Sequence, residues 1–255
     1  MIIFDIETGP LAKEKVFQSA AEFIPPKPPG EFNPAAVKIG NVKDEVKIKI
    51  KVDRARSEHN AAVRDYAATT EAAKEQHEAD IMGKAALSPL TGQILAIGYK
   101  SEKGVRLQVA AGDNLKYTEA DLISDFWALY SKSCAPTRKI VGHNIFGFDL
   151  PFLVRRSWAN DIQVPATVID RDRFWNERVF VDTMKKWQCG TYGEKFIKLE
   201  ALSAFFGGPV KPAGIDGGMF ADLIAGNQDD QKAAVEYLRN DLEMTWKVAV
   251  SLGIL

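Results

Sequence analysis

The first seven residues, MIIFDIE, read as a buried strand because apolar side chains dominate the run. Two acids one residue apart, Asp5 and Glu7, interrupt it, although a core strand rejects charge. Apolar runs bounded by turn residues predict further strands at 94–99 (ILAIGY) and 105–111 (VRLQVAA), with the turn-like SEKG between them. Residues 139–144 (KIVGHN) and 178–182 (RVFVD) read as two more short strands. A helical apolar period begins after Thr118, a good N-cap, and runs through DLISDFWALY. Pro151 sits where a helix opens, and FLVRRSW continues it. The chain beyond is mostly helical: residues 196–206, residues 218–226, and a long last helix from about residue 229 to 252. Gly207-Gly208-Pro209 and the glycine-rich stretch 214–218 punctuate these helices. Early strands followed by alternating strands and helices predict an α/β domain.

Residues 12–90 break this rhythm. They open with IPPKPPGEFNP, a proline-rich spacer expected to be stiff and extended. Residues 41–82 then contain no Gly or Pro and are rich in Ala, Glu, Lys and Arg, which predicts a helix of roughly 40 residues, spanning about 60 Å. Against this, EVKIKIKVD (45–53) alternates strictly, a strand signal that the long Ala-rich continuation outweighs. The apolar stripe is too thin to make a core, so the segment at about 20–88 is a spacer and helical insertion after the first strand of one domain covering 1–255. Charge is uneven along it. Residues 43–56 carry six basic and three acidic side chains, and residues 58–84 carry three and six.

Composition narrows the classes. A chain of 255 residues with 46% hydrophobic content can bury a real core, and a net charge of −1 excludes a polycation that coats nucleic acid. Any nucleic-acid contact must be a local patch. Cys134 and Cys189 are the two cysteines and form no close pair, which fits a reducing compartment. The opening apolar run is too short for a signal peptide, and no stretch reaches the roughly 20 apolar residues of a membrane span. These features predict a cytoplasmic protein whose fold starts at residue 1, with no membrane partner.

Asp5 and Glu7 at i and i+2 of a strand point to one face, where two carboxylates repel unless a cation lies between them. Oxygen ligands of this kind suit Mg²⁺ or Mn²⁺. Taken alone, D-x-E reads rather as a strand end with two solvated acids, because the pattern is common by chance. Two further stretches bear on it. In HNIFGFDLPFL (143–153), Asn144 and Asp149 flank Phe148 at a strand–loop–helix junction, where Asp149 alone reads as a helix cap. In EYLRNDLEMTW (236–246), Tyr237 and Asp241 share one helix face, where alone they read as a core tyrosine and a solvated acid.

DIET, N-x-x-x-F-D and Y-x-x-x-D, in that order, resemble the three exonuclease motifs of the DEDD superfamily in its tyrosine-bearing branch. The string GHNIFGFDLPFL is most similar to the proofreading exonuclease domain of family-B DNA polymerases and its stand-alone relatives. TGQILAIGY, FVDTM, KLEALSAFFGG and KPAGIDGGMF add to the resemblance, which covers about 1–11 and 90–250 but not the insertion. It implies a ribonuclease H-like fold, a central mixed β-sheet flanked by helices. It implies that Asp5, Glu7, Asp149 and Asp241 hold two divalent ions, Mg²⁺ or Mn²⁺, about 4 Å apart, and that Tyr237 orients the attacking water. A histidine branch of the superfamily carries His where this chain has Glu236, and His59, His77 and His143 all lie outside the last motif. Thr8, Gly9, Asn144 and Phe148 lie where the relatives hold the 3′ nucleotide. Phe148 reads equally as stacking residue and as helix packing. Thr8-Gly9-Pro10 reads as a sharp exit that leaves room for a nucleotide end.

The implied activity is hydrolysis of phosphodiester bonds at the 3′ end of single-stranded DNA, releasing nucleoside 5′-monophosphates. The alternatives are a 3′–5′ exoribonuclease and a nucleic-acid-binding or scaffolding module that acts through the insertion. The insertion has three readings: self-association or protein pairing, guidance of DNA by its basic end, and a solvated arm. Lys195, Lys198 and Lys211 are candidate phosphate contacts. Asp182 reads as a helix cap or supporting group, His143 as structural, and Arg155-Arg156 as a solvated helix face. A polymerase domain does not fit in 255 residues, so the expected settings are proofreading in trans, repair, recombination or phage DNA metabolism.

Overall fold

The computed structural model describes residues 1–110, 117–133, 138–169, 175–191, 196–211, 214 and 217–254. Cys134, Lys195, the end of the strand expected at 105–111 and part of KPAGIDGGMF lie outside the described residues. The chain divides into two compact units, Met1–Ser19 with Lys84–Leu255, and Ala20–Gly83.

The first unit is built on a mixed sheet. Among the described residues its strands are β1 (Ile2–Pro10), β2 (Gly92–Ser101), β3 (Gly104–Val109), β4 (Ile140–Gly142) and β5 (Phe180–Asp182), in the order β3-β2-β1-β4-β5. β1 is antiparallel to β2 and parallel to β4, while β3 is antiparallel to β2 and β5 parallel to β4. Helices α1 (Lys13–Gln18), α3 (Glu119–Ser133), α4 (Asp149–Ala159), α5 (Thr183–Trp187), α6 (Leu199–Phe205), α7 (Phe220–Ala225) and α8 (Gln228–Ser251) complete it; α2 (Glu45–Ala85) belongs to the second unit apart from its last two residues.

The strand period of two sorts β1 between two cores. Phe4 and Ile6 enter one core with Phe126, Leu150, Phe152 and Phe180 from α3, α4 and β5. Ile3 faces the other way, with Leu242 and Ala249 of α8. Asp5 and Glu7 share the parity of Ile3, so the acids of β1 face the α8 side. β1 does not turn sharply at Thr8-Gly9-Pro10. It stays paired with β2 down to Pro10↔Gly92, with one irregularity between Glu7 and Thr8. A side chain at Gly9 would lie 2.4 Å from Leu95 Cδ1, so this residue is a close approach of the strand to its neighbour.

α3 begins as expected: Thr118 Oγ1 accepts from the Asp121 amide, and the Asp121 carboxylate accepts from the Thr118 amide. α8 carries the same reciprocal cap between Asn227 and Asp230. Arg155 is exposed, but Arg156 is not part of a solvated face. It follows Phe152 by one helical turn and is therefore turned inward, 7% exposed. There its guanidinium donates to both carboxylate oxygens of Glu119, at 2.9 and 2.7 Å, and to the Pro89 carbonyl at 3.1 Å. Glu119 also accepts from the Ile94 amide and from Asn160.

The second unit is a strap and a helix. α2 spans Glu45–Ala85, and the Asp44 carboxylate caps the amides of Val46 and Lys47. The alternating stretch 45–53 is helical because the helix satisfies its backbone hydrogen bonds internally, without a partner strand. Val46 and Ile50 are exposed, while Ile48 and Val52, four apart, are half-buried. The proline-rich spacer runs back along this helix. The His77 ring lies against Phe23 and the Ala21 carbonyl, Tyr66 donates to the Pro26 carbonyl, Phe32 packs on His59 beneath Arg56, and Lys51 donates to the Ile39 carbonyl.

Candidate active site

Three distant stretches of chain deliver the side chains singled out from the sequence. β1 supplies Asp5 and Glu7. α8 supplies Tyr237 and Asp241, one turn apart and 5% and 6% exposed. Carboxylate oxygens of Asp5, Glu7 and Asp241 lie within 4.8 Å of one another. Asp149, the first residue of α4, stands at the edge of this group, and its Oδ1 accepts from the Ile6 amide at 3.3 Å. β4 pairs with β1 only at Ile2 and Ile3, so the carboxylate bonds to β1 beyond the point where that pairing ends.

The loop that leads to Asp149 is held from below. Asp182 caps α5 through the amides of Met184 and Lys185, and the same carboxylate accepts from the amides of Asn144 and Phe146, both at 3.0 Å. His143 is bonded at both ring nitrogens, to Thr183 Oγ1 at 2.9 Å and the Ile197 carbonyl at 2.8 Å. Asn144 adopts a positive φ of 59°, and a side chain at Gly147 would lie 2.4 Å from Asn144 Oδ1, so this turn needs its glycine.

A cleft of about 640 Å³ opens over the acids. Asp5, Asn144, Phe148, Asp149, Tyr237 and Asp241 all line it. Phe148 also packs its ring on Phe152, 5.5 Å between centroids, so it serves the cleft and the core together. Thr8 and Gly9 do not line it. Thr8 is buried with its hydroxyl donating to the Ala86 carbonyl. Lys198 is exposed at the rim, beside the exposed Phe196. Lys211 differs from a surface phosphate contact. It is half-buried, bonds to Asp241 Oδ2 at 2.9 Å and donates to the Tyr237 hydroxyl, with its ammonium 4.1 Å from the centre of that ring. Sequence reasoning also passed over Glu200 and Phe196 as lining residues; nothing in their spacing marks them.

The electrostatics follow from crowding. Burial pushes the Asp5 carboxyl well up, and the charges of Asp149, Asp241 and Glu7 push it further, while Lys211 opposes them. Glu7 is raised by burial and by Asp241. Burial lifts Asp149 to about 7 against the hydrogen bonds from its own amide and from Ile6. Burial raises Asp241, with Lys211 pulling down. Burial lowers His143.

No helix among the described residues is long and apolar enough to cross a membrane. No curated protein matches the sequence. Among solved structures, the chain is similar to the family B DNA polymerase from the hyperthermophilic archaeon Pyrobaculum calidifontis, with a TM-score of 0.50 and 19% identity. The likeness covers 67% of this chain and 23% of the polymerase chain, and it shows the fold. Residues 89–252, well over half of the chain, match the family described as "Predicted 3'-5' exonuclease related to the exonuclease domain of PolB". Asp5 and Glu7 precede the matched stretch, whereas Asp149, Tyr237 and Asp241 fall inside it. On that match the chain belongs to this family of predicted 3′–5′ exonucleases related to the exonuclease domain of PolB.

Proposed function

We propose that the chain is a 3′–5′ exonuclease of the tyrosine-bearing DEDD branch that shortens single-stranded DNA from its 3′ end with two Mg²⁺ or Mn²⁺ ions. The observation that carries this reading is the meeting of Asp5, Glu7 and Asp241 within 4.8 Å, with Asp149 and Tyr237 on the same cleft. The donor set fits hard divalent ions: every donor is a carboxylate oxygen, and Asp241 Oδ1 is buried without a hydrogen-bond partner among the described residues. Asp5, Glu7, Asp149 and Asp241 would hold the ions, which supply charge to stabilise the attacking and leaving oxygens.

The remaining work falls to the chain's own groups. Tyr237 offers its hydroxyl to the attacking water and fixes its direction. Asn144 and Phe148 hold the terminal nucleotide, Phe148 by stacking on its base. Lys198 at the rim meets a backbone phosphate. His143 takes no proton in this scheme, since both its ring nitrogens are committed within the loop. DNA is favoured over RNA on the likeness to a DNA polymerase.

The test is degradation of a 5′-labelled single-stranded DNA oligonucleotide with Mg²⁺ or Mn²⁺, beside a matched RNA. Wild type yields a ladder of shortening DNA products, and Asp5→Ala slows it by at least about a hundredfold. An equally active Asp5→Ala protein would sink the reading. Faster RNA cleavage would move the substrate to RNA and keep the site.

A further inference from the structure

Helices α5 and α6 both start beside the cleft. Asp182, which caps α5, is the carboxylate that holds the amides of Asn144 and Phe146. His143 bonds to Thr183 at the start of α5 and to the Ile197 carbonyl just ahead of α6. Leu199 and Glu200, which open α6, line the cleft. Both helices end in aromatic residues that do not line it. Trp187 closes α5, Phe205 closes α6, and Phe206 follows. The three rings meet edge to face, with centroids 5.3, 5.9 and 5.1 Å apart and planes at 69°, 85° and 78°. Phe205 is 69% exposed, and Trp187 and Phe206 are half-buried. Rings set edge to face leave flat faces uncovered, and a cluster of them held at the surface marks a site of interaction rather than a core.

Charge says what the cluster receives. Residues 183–191 and 201–211, which carry it, contain three lysines and no acid. Lys185 and Lys186 are exposed beside Trp187. At the rim of the cleft, exposed Phe196 and Lys198 repeat the pairing of ring and cation. The acid at the start of α6, Glu200, is half-buried in the cleft. From Leu199 to Phe205 the helix advances about 9 Å, so the aromatic cluster stands a few nucleotides from the rim. We infer that Trp187, Phe205 and Phe206, with Lys185 and Lys186, form a stacking platform for the single strand upstream of the nucleotide held in the cleft. The inference rests on the nuclease reading above and adds a second contact surface to it. Every base has a flat face, so the rings hold the strand without reading its sequence, while the lysines meet its phosphates. A duplex keeps its bases stacked on one another and cannot use the rings, so the platform favours single strands. It acts away from the scissile bond and therefore binds the ground state and the transition state alike, which places its effect in KM.

The measurement is the tryptophan fluorescence of the full chain titrated with oligothymidylate in chelator, where the strand can bind but is not cut. Wild type is quenched, and the part of the quench that belongs to Trp187 is missing from Trp187→Phe. A blunt duplex of the same length gives no such part. Phe205→Ala shortens a side chain that lies mostly in solvent, so the fold tolerates it. This variant binds the single strand at least about fivefold more weakly, and with Mg²⁺ its loss appears in KM rather than in kcat. Replacing Lys185 and Lys186 together by Gln flattens the dependence of binding on salt. No Trp187-dependent quench, or equal affinity of a folded Phe205→Ala protein, while wild type shortens the strand, overturns the inference and leaves the nuclease reading standing. A Trp187-dependent quench by a strand that Mg²⁺ or Mn²⁺ never causes to be shortened upholds the platform and sinks the nuclease reading. Wild type that neither binds nor shortens a single strand overturns both.

Discussion

At Asp149 two influences oppose each other, and the balance can be read in a titration. The ordinary value for this carboxyl is 3.8, and burial carries it to about 7 in the fold. Between those values the folded state holds a proton that the unfolded chain has lost. The fold is therefore favoured below about pH 4, and that contribution is lost as pH rises through about 7. In chelator, the melting temperature of wild type relative to Asp149→Asn is expected to fall from about pH 5 to about pH 8, because asparagine cannot ionise. Mn²⁺ at the upper pH restores it by binding the ionised acids of the folded protein. A difference that stays flat across this range would show that Asp149 ionises in the fold as it does in the open chain. Legibility at this scale was uneven. Asp5 and Glu7 could be found because a period of two puts them on one face. Tyr237 and Asp241 could be found because one helical turn separates them. Lys211 stood out only as a candidate phosphate contact; its bonds to Asp241 and Tyr237 could not be read, since Gly207-Gly208-Pro209 reads only as a break and the tethers that aim the lysine come from Ser203 and Asn240.

Elements set which face each of these residues presents, and α4 illustrates how a charge becomes internal. Its apolar positions Leu150, Phe152 and Leu153 define the inner face, and Arg156 continues that face one turn on. The spacing was available in FLVRRSW, but a pair of arginines looks like solvent, and the partner Glu119 lies on another helix. The guanidinium is satisfied by Glu119 and Pro89, and the pair joins the start of α3, the approach to β2 and the body of α4. Removing the arginine leaves the Glu119 carboxylate buried without its counter-charge, which costs about 3–5 kcal/mol. Urea unfolding of Arg156→Met is expected to show that loss, and Arg156→Met with Glu119→Gln recovers a large part of it. A single variant within about 1 kcal/mol of wild type would mean that the pair adds little to the fold. The same scale explains two other differences. Residues 45–53 alternate like a strand, yet without a neighbouring edge to pair with they join the helix that follows. Thr8-Gly9-Pro10 looked like a turn by composition, but β2 lies close enough for the pairing to continue through all three.

For the molecule as a whole, the informative fact is how function divides between its two units. Every described residue that lines the cleft lies in Met1–Ser19 or Lys84–Leu255, as do the caps and tethers that position them. The second unit has its own internal logic: half-buried Val52, Ala55, His59, Tyr66, Ala73 and His77 recur at helical spacing, and the chain's own spacer packs along them. That spacer takes the place a second copy of the helix would need on this stripe, which weighs against pairing through it. What residues 43–56 leave to solvent includes an excess of positive charge, six basic side chains against three acidic ones. Positive charge of this kind attracts a polyanion at long range and is screened by salt. Replacing residues 20–83 by a short Gly/Ser linker should therefore leave kcat on a short oligonucleotide within about threefold of wild type, because none of the transition-state contacts is lost. On a long single strand, KM should rise and its dependence on salt should flatten, with kcat again kept. A tenfold or larger fall of kcat on the short substrate would place part of the working site in the arm, and an unchanged KM and salt slope on the long one would make the arm a bystander to substrate capture.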